Sequence, residues 1–211
     1  MQTLSELRPN PDLFFDAESH RYRFKDIWIP YSVTGITSYG MDGYVQKKID
    51  DTKHIWGPRG DTIHACLEAF LTGAAVLNPG DYAEWVDPLL AHPLWSRFRP
   101  LAVEHRMVSK DHFYAGSFDA LLHGPDKDGN ETTVLVDLKT VAKASTPVRS
   151  IAKQAGAYIA LLNDNHRVQV DRVIGVFAKP GMVELKVEDP DECLSSWVDH
   201  LDYFKSQQPD F

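Results

Sequence analysis

The chain has 211 residues, 43% hydrophobic and 25% charged, enough apolar side chain for one well-buried domain with a small extension wrapped on it. Its formal net charge of −8 argues against a protein that coats nucleic acid by bulk charge, though it leaves room for an enzyme with a local basic groove. No apolar run approaches a membrane span, the acidic start (Glu6, Asp12, Asp16, Glu18) fits neither a secretory signal nor a transit peptide, and the isolated Cys66 and Cys193 support neither a disulfide framework nor a cysteine-held cluster.

Residues 1–20, with Pro9 and Pro11, read as an irregular lead-in. Tyr22, Phe24, Ile27 and Ile29 then alternate with polar residues, which predicts a β-hairpin turning at Lys25-Asp26. Ser32 or Thr34 can cap a helix running toward Ile49. After Gly57-Pro58-Arg59-Gly60, Asp61 is the expected N-cap of a helix that carries Ile63, Leu67, Phe70 and Leu71 and ends at Thr72-Gly73. A second helical region, from Asp81 to Phe98, is expected to break at Pro88 and Pro93.

From Pro100 the period becomes that of strands: Leu101 to Val108, Phe113 to Leu122 and Thr132 to Lys139, with turns at Asp111-His112 and over the polar run from Gly124 to Asn130. A helix from Ser150 to Leu162, strands from Arg172 to Ala178 and Val183 to Val187, and a last helix from Pro190 to Lys205 complete the order. It predicts an α/β fold with a mixed central sheet flanked by helices. The expected division is an N-terminal hairpin and helical extension over 1–56 and a core over 57–211.

Residues two apart on a strand share a face, so Asp137 and Lys139 project together while Val136 and Leu138 enter the core. If the strand from Phe113 to Leu122 pairs alongside, Asp119 reaches the same point. Two carboxylates with the main-chain carbonyl of Leu138 and waters suit a hard divalent cation. Such an ion lowers the pKa of a bound water and offsets charge on a phosphate, and Lys139 can orient that water or stabilise the same charge.

The ordered set His64, Gly116-Ser117-Phe118-Asp119, Asp137-Leu138-Lys139 and Gln154-Ala155-Gly156-Ala157-Tyr158 resembles the RecB-like branch of the PD-(D/E)XK nucleases over residues 57–178. The preceding hairpin and Ser32-Val33-Thr34 are similar to the N-terminal part of the mitochondrial genome maintenance exonuclease and its phage and bacterial relatives. The resemblance implies a restriction-endonuclease-like αβββαβ core and Mg²⁺- or Mn²⁺-dependent cleavage of DNA, as an exonuclease on single strands or ends in replication, repair or recombination. It implies Asp119, Asp137 and Lys139 as catalytic residues and His64 as a further metal ligand; Gln154 and Tyr158, four apart on one helix face, can position the strand by contacting the DNA backbone or a base, or can hold the lysine in place. The two isolated cysteines read as a reducing cytoplasm, here expected to be that of a bacterial or phage-infected cell. The four cysteines that hold an iron–sulfur cluster in some relatives are missing, so no cluster is expected; with no helicase motor in the sequence, the expectation is a stand-alone nuclease domain or one that works with a separate helicase or recombination protein.

An imidazole ligand favours Mn²⁺ over Mg²⁺. Glu68 shares the face of His64 one turn on, and Glu104 is either another acid near the metal or a partner of Arg106 on an exposed face. Arg59, Lys143, Arg149 and Lys153 surround the expected site and can bind flanking phosphates. Two other functions stay open: a non-catalytic nucleic-acid- or partner-binding module that keeps the nuclease fold, and a nuclease directed at RNA.

Overall fold

The computed structural model describes residues 6–208; residues 1–5 and 209–211, including the start of the expected lead-in, lie outside them. The described residues form two sheets. The first is a small antiparallel sheet of β1 (Leu13–Asp16), β2 (Arg21–Phe24) and β3 (Ile27–Trp28). The predicted hairpin is present and turns at Lys25, whose φ is +53°. The lead-in contributes β1, whose Leu13 is buried with Tyr22 and Ile29.

The main sheet contains β4 (Tyr31–Ser32), β5 (Arg99–Ser109), β6 (Tyr114–Pro125), β7 (Glu131–Thr140), β8 (Arg172–Lys179) and β9 (Met182–Glu188). β7 runs parallel to β8, while β5, β7 and β9 are antiparallel to their neighbours β6, β6 and β8. The sheet is therefore mixed, as expected. β7 and β8 read as near-continuous apolar runs because both of their faces are covered. On one face α6 (Ala152–His166) and α7 (Pro190–Ser206) pack over Phe118, Leu121, Leu135 and Val173. On the other, α3 (Lys53–Thr72) and α4 (Ala83–Leu90) pack over Ala120, Leu122, Val136 and Leu138.

Three helical expectations are corrected. The helix toward Ile49 is two helices, α1 (Val33–Ser38), capped by Ser32, and α2 (Gly43–Asp51), capped by Asp42; Gly40, at φ +78°, turns the chain between them. Asp61 is not an N-cap: α3 starts at Lys53 and passes through Pro58. Pro88 does not break α4 either. It lacks an N–H for the carbonyl of Glu84 four residues back, and Gly181 N–H, in the β8–β9 turn, donates to that carbonyl at 2.9 Å. Pro93 does mark a break, standing just before the short α5 (Leu94–Arg97).

β6 has three partner strands. β5 runs along one edge for its whole length, so β4 and β7 must share the other. β4 pairs there with Tyr114 and Ala115, and β7 from Ala120 onward. Residues 116–119 fall in the gap, where the ladder on that edge is open.

Candidate metal centre

The gap is lined by acids. Asp119 Oδ1 lies 2.9 Å from His64 Nδ1, and its Oδ2 accepts the backbone N–H of Leu138 at 2.5 Å. Glu104 Oε1 stands 3.9 Å from the same imidazole nitrogen. His64, Glu104 and Asp119 each offer a ligand atom within 4.8 Å of the others'. Three separate elements supply them: α3, β5 and β6. Glu104 has φ +46° in the middle of a strand, and a non-glycine residue is held in that region only when its surroundings impose it.

Asp137 and Lys139 share the α6 side of β7, as the two-residue period requires. Lys139 Nζ is 2.6 Å from Asp137 Oδ2 and donates to Gln154 Oε1 at 2.8 Å. Gln154 Nε2 in turn donates to Tyr158 OH at 2.9 Å. Of the two expected uses of the QxxxY pair, the contacts made here are those that hold the lysine. Gly116 lets this cluster close: a Cβ there would sit 2.7 Å from Val33 Cγ2 and 3.0 Å from Tyr158 Cε1.

The two aspartates are shifted in opposite directions. Burial alone raises the Asp119 carboxyl, but His64, Lys139 and the Leu138 N–H outweigh it and hold it below the usual carboxylate range. Burial pushes Asp137 up; Lys139 offsets only part of this, and Asp119 adds to the rise. Glu104 is raised as well, chiefly by burial. Burial opposes a charge on His64, yet Asp119 and Glu104 prevail and lift the imidazole to about 10. The ammonium of Lys139 is stabilised by Asp137 and Asp119 against its own burial.

Two oxygens in this centre are buried without a hydrogen-bond partner among the described residues, Ser117 Oγ and Asp137 Oδ2. The contact of Asp137 with Lys139 is an ion pair by distance but lacks hydrogen-bond alignment. An acidic cluster with an unfilled oxygen fits a divalent cation, whose positive charge would relieve the crowding. The mixed nitrogen and oxygen donors fit Mn²⁺ better than Mg²⁺.

All of these groups open into one cavity of 680 Å³, which Leu138 and Glu68 also line. Lys143, Arg149 and Lys153 are exposed on the loop after β7 and the start of α6, and none of them lines the cavity. Arg59 is buried in a neighbouring cavity. Phe15, His20, Tyr22, Trp56 and Ser117 also line the cavity, and so does Arg106, read from the sequence only as a possible partner of Glu104 on an exposed face. Arg106 stands two residues from Glu104 on the same strand, which puts both side chains on the cavity side. The rings of the hairpin were not legible in the sequence, because their place depends on how the small sheet docks.

No protein-family model matches the chain, and no curated protein matches it by sequence. Solved structures do. A protein from Eubacterium rectale named putative exonuclease superposes with a TM-score of 0.52 at 10% identity, covering 83% of this chain and 79% of the other. The two share a fold. A protein named SSO0001 covers 84% of this chain and 75% of its own, at 16% identity and a TM-score of 0.46, a likeness too loose to argue from. Among the described residues no helix is long and apolar enough to cross a membrane.

Proposed function

We propose that the protein is a metal-dependent deoxyribonuclease of the RecB-like PD-(D/E)XK kind, cutting single-stranded DNA or DNA ends. One observation carries the reading: His64, Glu104 and Asp119 converge beside the Asp137–Lys139 pair within a single open cavity. The fold shared with the Eubacterium rectale protein, and that protein's name, agree with it.

His64, Glu104, Asp119 and Asp137 would hold the ion. When bound, it supplies a water of lowered pKa and offsets charge on the phosphate. Lys139 stays protonated between Asp137 and Gln154, and its N–H groups can donate to the attacking water or to a non-bridging phosphate oxygen as charge builds there. Gln154 and Tyr158 limit the lysine to that position. Phe15, Tyr22 and Trp56 give the cavity wall aromatic faces on which unpaired bases can stack.

The test is a time course on end-labelled single-stranded DNA with Mn²⁺ and with Mg²⁺, beside a circular substrate and a matched RNA. Asp137→Ala and Lys139→Ala should each abolish cleavage while remaining folded, and calorimetry should show weakened Mn²⁺ binding for Asp137→Ala. Cleavage at the wild-type rate by both variants would sink the assignment. DNA binding without cleavage under any condition would favour the non-catalytic module, and preferential cutting of the RNA would redirect the enzyme to that substrate.

A further inference from the structure

Next to the metal centre lies a second cavity, of 480 Å³, whose walls include Ile49, Ile55, Trp56, Arg59, Thr140 and Ala142. Trp56 and Thr140 line both cavities, so a chain leaving one enters the other directly.

Arg59 is the unusual group. Its side chain belongs to a residue only 9% exposed, its Nε is buried without a hydrogen-bond partner, and among the described residues no carboxylate pairs with it. Its one contact of note is with the ring of Trp85, 5.6 Å from the guanidinium carbon. Trp85 is itself fixed by donating from Nε1 to the carbonyl of Val141 at 2.8 Å. A buried guanidinium with an unfilled N–H is costly unless an anion completes it. Arg presents a planar fork of donors that matches a phosphate.

The wall beside Arg59 is apolar and partly open. Trp56 is 37% exposed and Ile55 58% exposed. Trp56 is not a loose side chain, since its Nε1 donates to the carbonyl of Ile49 at 3.0 Å and ties α3 to α2. A rigid indole plate next to an unpaired buried cation matches a ligand that is an anion at one end and a flat ring at the other. A nucleotide of a strand already seated at the metal centre has both.

We infer that this second cavity is a nucleotide subsite in which Arg59 takes a phosphate flanking the one at the metal centre and Trp56 stacks on the attached base. The inference rests on the nuclease reading and adds the element that grips the strand.

The experiment measures binding of a fluorescein-labelled octathymidylate in EDTA by anisotropy across a range of salt concentrations. Arg59→Met should weaken binding about tenfold, the loss of one charge-assisted contact, and should lower the magnitude of the salt slope by about 0.7, the share of one phosphate on a single strand. Arg59→Lys should keep the wild-type slope. Should Arg59→Met fail to fold, Trp56→Leu decides: replacing every base by an abasic unit should weaken wild-type binding, and that penalty should shrink in Trp56→Leu. An unchanged slope in folded Arg59→Met, or a full abasic penalty in Trp56→Leu, overturns the subsite. Failure of the nuclease reading is seen separately, as a wild-type protein that cuts nothing with either metal.

Discussion

Asp119 Oδ2 takes the backbone N–H of Leu138 at 2.5 Å, so a side chain continues the bonding between β6 and β7 beyond the last backbone pair, Ala120 with Val136. The carboxylate is clamped to the scaffold by one oxygen and faces His64 with the other. Alternation along β6 breaks at this residue: Phe118 packs with the α6 side and Ala120 with the α3 side. The acid that closes the ladder is thereby held over the open gap rather than in either core.

The crowding of acids predicts a reversal of stability with metal. Asp137, 2% exposed, is disfavoured as an anion by its burial. In chelator, Asp137→Asn should therefore melt above the wild type. With Mn²⁺ at a hundredfold excess over its Kd, the wild type should gain about 2.7 kcal/mol and the variant much less, so the order should invert. Differential scanning fluorimetry with EDTA and with Mn²⁺ checks both halves.

Glu104 offers a cleaner separation of backbone from side chain. Its φ of +46° favours glycine. Glu104→Gly should relieve about 1 kcal/mol of strain while removing a carboxylate from the metal group. Glu104→Ala should lose the carboxylate and keep the strain. Of the two variants, the glycine form should be the more stable in chelator, and both should bind Mn²⁺ more weakly by calorimetry.

Gly156, inside the Gln154–Tyr158 motif, serves packing. A Cβ there would stand 2.0 Å from the carbonyl oxygen of Cys193, a main-chain atom of α7. Gly156→Ala should cost roughly 3 kcal/mol or more by forcing α6 and α7 apart, seen as a lowered urea midpoint. Gly129→Ala, where a Cβ would meet open space but φ is +85°, should cost only about 1 kcal/mol.

His105 and His166 predict an acid sensitivity. Their Nε2 atoms lie 2.8 Å apart, so the pair shares one proton, and His105 stacks on Phe118. Burial, then His166, depresses His105 to about 4, against 6.5 unperturbed. The folded state thus prefers it neutral. Its contribution is complete above pH 6.5 and is lost as pH falls toward 4. The urea midpoint of the wild type should fall more steeply over that window than that of His105→Phe.

Part of the candidate metal centre was legible because strands have a period of two. Asp137 and Lys139 fall on one face and Val136 and Leu138 on the other wherever the strand begins, so small boundary errors did not matter. The strands β7 and β8 were readable for a related reason, as apolar runs long enough to be covered on both faces. β1 was missed because four residues carry little periodic signal, and its pairing with β2 comes from contact rather than pattern. Pro88 misled because the carbonyl it leaves free is satisfied by Gly181, nearly a hundred residues away in the chain. The surroundings of Glu104 and Arg59 were likewise open, since a charge on a strand or helix says nothing of what faces it.

The amino-acid sequence by itself determined which candidate side chains share a face and in what order they come, because local period places neighbours together. Only the tertiary structure decided that β4 and β7 share an edge of β6 and leave the ladder on that edge open at residues 116–119. Only it decided that Glu104 joins His64 and Asp119, and that Arg59 is buried without a counter-charge. Those facts arise between segments far apart in the chain, where packing and desolvation act and local pattern has no reach.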